Sequence, residues 1–256
     1  KELQSLGIQP DIIVLRAEHE LNEGLRKKVA SFCNVDFNAV VQSIDLPTIY
    51  EVPLSMQAQG LDSTILRKMG IEPGETPGLG PWRAFLERRH KATEVVNIGL
   101  VGKYDLQDAY KSILESLSQA GTYNDRKVVP CFINSEKLFN NNVEEKLKNM
   151  DGIVICPGFG QRGIEGKIVA AKYCREHNIP TFGICLGMQM MVVEYARDVL
   201  GYEDANSVEM DEKTQHNVID LMEEQKNITN LGGTMRLGAY KCVLDENSLV
   251  YNAYKV

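Results

Sequence analysis

The sequence predicts an α/β protein: a parallel sheet with helices on both faces, preceded by part of a second α/β unit. Three observations carry this. From residue 94 to 199, apolar strand-like runs alternate with helix-period segments, the pattern of parallel strands joined by helical crossovers. Residues 1–72 show a shorter version of the same alternation. Between them, Pro73-Gly74-Glu75-Thr76-Pro77-Gly78-Leu79-Gly80-Pro81 has the composition of a linker. The expected organisation is a first unit over 1–72, a linker over 73–93 and a second unit over 94–256.

In the first unit, residues 10–15 read as a buried strand, 22–33 as a helix and 39–44 as another strand. A short charged helix over 82–91 leads out of the linker. In the second unit, strands are expected over 95–102, 128–133 and 152–156, and helices over 106–120, 143–150 and 165–177. The apolar run 179–184 is the fourth strand, and 188–199 the helix after it. Beyond residue 201 the periodicity weakens and no element is assigned. Ligands of such sheets sit at the carboxyl ends of strands. Pro157-Gly158-Phe159-Gly160 and Cys185 both fall there.

The bulk numbers fit this frame. The chain has 256 residues, enough for two domains, with 43% hydrophobic and 25% charged residues, ordinary for a soluble globular protein. A net charge of −7 argues against a nucleic-acid surface. The six cysteines (33, 131, 156, 174, 185 and 242) form no Cys-x-x-Cys and no paired His spacing. Neither a metal site nor a disulfide framework is expected, and a reducing, cytoplasmic setting fits. No apolar stretch approaches the roughly 18 residues of a membrane span. The N-terminus shows no signal peptide and reads like the middle of a longer chain.

The most informative stretch is Thr181-Phe182-Gly183-Ile184-Cys185-Leu186-Gly187-Met188-Gln189. A strand ends in a sharp turn, a helix follows at once, and the cysteine occupies the turn. Gly183 and Gly187 let the backbone fold tightly, as glycines do around a nucleophile elbow. The positive end of the helix dipole favours a thiolate there, and the next N–H is free to face an oxyanion. The competing reading is a small buried residue closing a core strand. Gly-x-Cys-x-Gly between strand and helix favours the nucleophile.

Five segments carry a family resemblance. Gly183-Ile184-Cys185-Leu186-Gly187-Met188-Gln189 resembles the nucleophile segment of the class I glutamine amidotransferases. Leu100-Val101-Gly102-Lys103-Tyr104, Asp204-Ala205-Asn206-Ser207-Val208-Glu209 and Gly232-Gly233-Thr234-Met235-Arg236-Leu237-Gly238 are similar to segments of the CTP synthases within that group. Leu6-Gly7-Ile8-Gln9-Pro10-Asp11 looks like the late portion of their P-loop-type synthetase (amidoligase) domain. The resemblance implies ATP-dependent amination of UTP to CTP, with ammonia released from L-glutamine and GTP as activator. It further implies Mg2+ with the ATP, CTP as an inhibitor, and assembly into homo-oligomers (dimers, tetramers or filaments).

By the same resemblance, Cys185 forms a thioester with the glutamine side chain, and the Gly158 and Leu186 N–H groups hold the oxyanion. Gly187, Met188, Gln189, Glu209 and Arg236 complete the glutamine site, with Glu209 on the α-ammonium and Arg236 forking the α-carboxylate. Arg16, Lys28 and Asp45 match nucleotide-contacting positions. Read without the family, Glu209 and Arg236 would be surface charges and Lys28 a solvated helix residue. The loop 161–166 reads as a lid beside the site.

Two departures stand out. Where the family usually has Pro-Gly-Gly-Phe-Gly, this chain has Cys156-Pro157-Gly158-Phe159-Gly160. Pro157 has no N–H to donate, so Gly158 keeps the donor position. The family's catalytic His-x-Glu and its ATP phosphate loop are not found; the four histidines (19, 90, 177 and 216) lack that context. Both are expected in sequence beyond these 256 residues. The alternatives are another class I amidotransferase or a γ-glutamyl hydrolase, which the 206–209 and 235–238 segments disfavour, and a non-catalytic assembly or regulatory fragment.

Overall fold

In chain order the elements are α1 (Glu2–Ser5), β1 (Ile13–Ala17), α2 (Glu23–Cys33), β2 (Val40–Ile44), α3 (Val52–Ala58), α4 (Leu61–Lys68), α5 (Gly80–Lys91), β3 (Val95–Gly102) and α6 (Lys111–Tyr123). They continue with β4 (Lys127–Asn134), α7 (Val143–Leu147), β5 (Gly152–Ile155), α8 (Ile164–Glu176), β6 (Thr181–Gly183), α9 (Leu186–Asp198), β7 (Asn206–Ser207), β8 (Asn217–Ile219) and α10 (Leu249–Tyr254). This computed structural model describes residues 2–75, 78–104, 107–222, 239 and 241–254. The chain divides into two compact units, 1–96 with 112–129 and 97–111 with 130–256.

In the first unit β1 and β2 pair in parallel, from Ile13↔Val40 to Ala17↔Ile44. Val40 and Val41 are fully buried, as expected of a strand covered on both faces. Asn22 caps α2 by accepting from the Leu25 N–H at 2.9 Å, and Asn34 ends the helix in the left-handed conformation. The expected helix over 82–91 begins two residues earlier, at Gly80. Pro81 lies in its first turn, where a missing N–H costs nothing. Trp82 and Phe85 from α5 pack on Tyr50, whose hydroxyl donates to Glu115 at 2.7 Å.

The helix expected over 106–120 is displaced. Gln107–Tyr110 forms a 3-10 turn and α6 runs on through Gly121 to Tyr123. Gly121 looks like a stop signal but is a packing device. A Cβ there would lie 2.8 Å from the Arg126 carbonyl oxygen and 2.8 Å from Val128 Cγ2.

The second unit has a four-stranded sheet of order β4-β3-β5-β6, with β3–β5 and β5–β6 parallel. Its first strand lies between the second and the third, so the crevice where strand order reverses opens at the ends of β3 and β5. Val101, Ile153 and Ile155 pack with Leu147 of α7 and with Ala170, Ala171 and Cys174 of α8. A second apolar seam joins Ile164 and Ile168 of α8, Leu186, Met190 and Val193 of α9, and Met210. Among the described residues no helix is long and apolar enough to cross a membrane.

Candidate active site

The turn between β6 and α9 is built as the glycine spacing predicts. Cys185 is the residue before α9, exposed, with φ 52° and ψ −113°. A non-glycine residue at such a φ costs on the order of 1–3 kcal/mol and persists only where its surroundings enforce it. Here they do. The Ile184 N–H donates to the Ile155 carbonyl at 3.0 Å, and the Cys185 carbonyl accepts from the Gln189 N–H at 3.1 Å. A Cβ on Gly183 would lie 2.6 Å from the Met188 nitrogen, and one on Gly187 would lie 2.0 Å from the Ile155 oxygen. Both positions require glycine. As the first residue of α9, Leu186 has an N–H with no intrahelical acceptor.

Gly158 faces this turn from the end of β5. A Cβ on it would make ordinary contacts at 3.7 Å with Leu186 Cδ2, 3.5 Å with Lys103 Cε and 3.6 Å with Lys167 Nζ. Lys167 is fully buried, and its ammonium donates to the Cys156 carbonyl at 2.7 Å. Lys103, also buried, donates to the Phe159 carbonyl. Two ammonium groups therefore hold the carbonyls that bracket Pro157-Gly158.

Burial pushes the Cys156 thiol up to about 12 and holds Cys174 above its ordinary value, so both stay protonated at neutral pH. Only Cys185 and Cys242 among the free cysteines are exposed. A glutamine-analogue diazoketone is expected to label Cys185, while a simple haloacetamide labels Cys242 as well. Peptide mass spectrometry checks this, and a glutamine-analogue label on Cys156 or Cys174 with Cys185 untouched would sink the nucleophile assignment.

The structure brings Cys185, Gly158, Leu186, Gly187, Met188 and Gln189 together at one end of the sheet. Glu209 is tied to the same region through its neighbour Met210. Met210 is buried in the seam with Leu186, and its carbonyl accepts from Gln161 Nε2 at 2.9 Å. Glu209 itself is exposed, with no ion pair among the described residues. Arg236, expected to complete the clamp, lies outside the described residues. The loop expected over 161–166 is partly helix, because Ile164 and Gly166 are buried in the first turn of α8.

The two histidines of this unit serve other contacts. His177 stacks on Tyr173 with ring centroids 4.0 Å apart. His216 lies on Tyr202 and bonds Asp204 at 2.5 Å. That bond, with the Gln215 N–H, lowers the Asp204 carboxyl to about 2. In the first unit, Arg16 pairs with Asp45 at the carboxyl ends of β1 and β2, and Lys28 is exposed on α2.

Sequence reasoning missed Lys167 and passed over the side chain of Lys103. A signal existed: Lys167 lies three residues after Ile164 and four before Ala171, on the apolar stripe of α8.

A strained, exposed cysteine between strand and helix, facing a glycine loop, is the geometry of an acyl-transfer nucleophile. The profile of glutamine amidotransferase class-I matches residues 105–256. The chain belongs to that family. The CTP synthase N-terminus profile matches residues 1–71. The CTP synthase of Bacteroides thetaiotaomicron is 74% identical over 256 residues, covering 99% of this chain and 48% of that protein. That of Porphyromonas gingivalis is 59% identical over 255 residues, covering 99% and 47%. The chain thus spans about half the length of the curated relatives it matches. A solved structure of the Trypanosoma brucei CTPS glutaminase domain with bound acivicin superposes with a TM-score of 0.53 at 33% identity, covering 62% of each chain.

Proposed function

We propose that this amidotransferase chain is the glutaminase part, with the end of the synthetase part, of a CTP synthase. The observation that carries the reading is Cys185, exposed and strained where β6 meets α9, beside Gly158. Its high identity to CTP synthases along the whole chain supports the specific reaction.

In this reading the Cys185 thiolate attacks the glutamine side-chain carbonyl. The tetrahedral oxyanion is held by the N–H groups of Gly158 and Leu186, and collapse to a thioester releases ammonia. Gly187, Met188 and Gln189 line the substrate. Glu209 takes the α-ammonium and Arg236 the α-carboxylate. None of the four histidines has the His-x-Glu context of the family's proton-transferring pair, so that role is given to no residue of this chain. The ammonia then aminates UTP in the synthetase part, where ATP supplies the activating phosphate. Residues 1–72 belong to that part and 94–256 to the amidotransferase, joined through 73–93.

Arg16, Lys28 and Asp45 would contact nucleotide at the carboxyl ends of β1 and β2, with Lys28 on the phosphates of UTP or of inhibitory CTP. Mg2+ would accompany the ATP; among the described residues no group of three His, Cys, Asp or Glu side chains able to hold a metal occurs. GTP activation, homo-oligomer assembly and a cytoplasmic setting complete the reading.

The full-length enzyme tests it. Wild type should form CTP from UTP and ATP with either glutamine or ammonia. Arg236→Ala should mainly raise the glutamine KM, by the roughly 1.5–3 kcal/mol of a lost charged hydrogen-bond partner, and leave ammonia-dependent synthesis nearly intact. Equal loss of both activities would remove Arg236 from the glutamine site. Absence of both in wild type would refute the function.

A further inference from the structure

Lys103 and Lys167 are buried, they come from different elements, and neither has a carboxylate partner among the described residues. A buried ammonium is costly unless it is paired or well hydrogen-bonded, so its retention asks for a reason. Lys167 Nζ bonds the carbonyl of Cys156, and Lys103 Nζ bonds that of Phe159. These peptides flank Pro157-Gly158 on either side. Pinning both carbonyls fixes the tilt of the intervening backbone, and with it the direction of the Gly158 N–H. Both lysines also approach the Gly158 Cα, within 3.5 and 3.6 Å of where a Cβ would sit.

We propose that Lys167, assisted by Lys103, is a positioning residue of the glutaminase centre: it locks the Gly158 oxyanion loop from below and supplies the positive charge that offsets the anion formed above it. The proposal rests on the glutaminase reading and adds a role for these two side chains. Lys167 is fully buried under the loop, so it acts through the Cys156 carbonyl and through its field. Unneutralised charge in a poorly solvated site acts strongly on developing charge nearby.

The groups facing the Lys167 ammonium are Cys156 at the end of β5, Lys103 at the end of β3, and Cys185 in the β6–α9 turn. Its neighbours on α8, Ile164, Ile168 and Ala171, are apolar. The nearby carboxylate of Glu136 pairs with Arg162 at 3.4 Å. Burial foremost, with repulsion from Lys103, outweighs the attraction of the two thiol groups and brings Lys167 down to about 8. The ammonium therefore predominates at pH 7 and is lost as pH rises through 8. Glutaminase turnover should fall over that interval, while CTP synthesis at fixed free ammonia should not share the fall.

The test uses the full-length enzyme with Lys167→Met and Lys167→Arg. The Met variant should lose about a hundredfold in glutaminase kcat, the scale of a lost oxyanion donor, with little change in glutamine KM or in ammonia-dependent synthesis. Its remaining activity should lack the decline above pH 8. The Arg variant keeps a charge that does not titrate below pH 12, so it should recover part of kcat and lose the decline. Cys185 alkylation by iodoacetamide, followed by mass spectrometry, reads the field without turnover. It should slow at least about threefold at pH 7 in the Met variant. Normal kcat and an unchanged pH profile in Lys167→Met would overturn the proposal. So would equal loss of both CTP-forming activities in both variants, which would make Lys167 a folding residue. Failure of the wild type itself to use glutamine or ammonia would instead refute the function, and the alkylation rates would still decide whether Lys167 acts on Cys185.

Discussion

If the chain belongs to a CTP synthase as proposed, Gly187→Ala should disable glutamine hydrolysis while sparing ammonia-dependent CTP synthesis in the full-length enzyme. The added methyl would sit 2.0 Å from the Ile155 carbonyl oxygen and 2.7 Å from its carbon. That obstacle is the backbone of β5, paired with β3 on one side and β6 on the other, and it cannot step aside. The start of α9 must move instead, by about an ångström to reach a tolerable contact. Cys185 and the Leu186 N–H move with it. Misplacement on that scale costs about a hundredfold in rate. Strain of this kind typically costs about 1–3 kcal/mol of stability, so a modest fall in Tm should accompany it. Steady-state glutaminase assays with ammonia-dependent synthesis as the control measure both effects. A variant within twofold of wild type in glutaminase kcat would show that the turn is not held against β5 as described.

That turn was the most legible part of the chain, because its constraints are local. Small residues two positions either side of a cysteine, between an apolar run and a helical period, describe one backbone path. The strands β2 to β5 were legible for a similar reason: each is an apolar run with Gly, Pro, Asn or Asp at one end or both. β1, expected as a buried strand over 10–15, instead runs Ile13–Ala17 with Val14 and Arg16 exposed, because one of its faces is open to solvent.

Elements whose signals conflict were not legible. α3 and α4 carry Pro53 and Gly60, which look like breakers. In the fold Pro53 occupies a first turn and Gly60 takes a left-handed boundary conformation, so neither interrupts a helix. β7 and β8 are two and three residues long, too short to show a period. Within the site, Cys185 announces itself, whereas Glu209 reaches the region only because Met210 is buried against Leu186. Lys167 inverts the usual reading of lysine as surface. Such non-local contacts leave little trace in a linear pattern.

The proposed oxyanion loop offers the cleanest test of the catalytic geometry, because three substitutions separate its steric and hydrogen-bonding parts. The nearest atoms to a Cβ on Gly158 are 3.5–3.7 Å away, so alanine fits without displacing anything and keeps the N–H. Gly158→Ala should therefore retain glutaminase activity within a few-fold. Gly158→Pro removes the N–H at the same position. It should lower glutaminase kcat by on the order of a hundredfold or more, the cost of one missing oxyanion donor. Pro157→Gly should be mild, since residue 157 contributes no donor to begin with. The loss in Gly158→Pro should fall on kcat more than on the glutamine KM, because the oxyanion exists only after attack. Ammonia-dependent CTP synthesis reports whether each variant is folded. Near-normal glutaminase turnover in Gly158→Pro would move the oxyanion hole elsewhere. A loss in Gly158→Ala as large as in Gly158→Pro would show that shape, and not the donated hydrogen bond, is what this loop supplies.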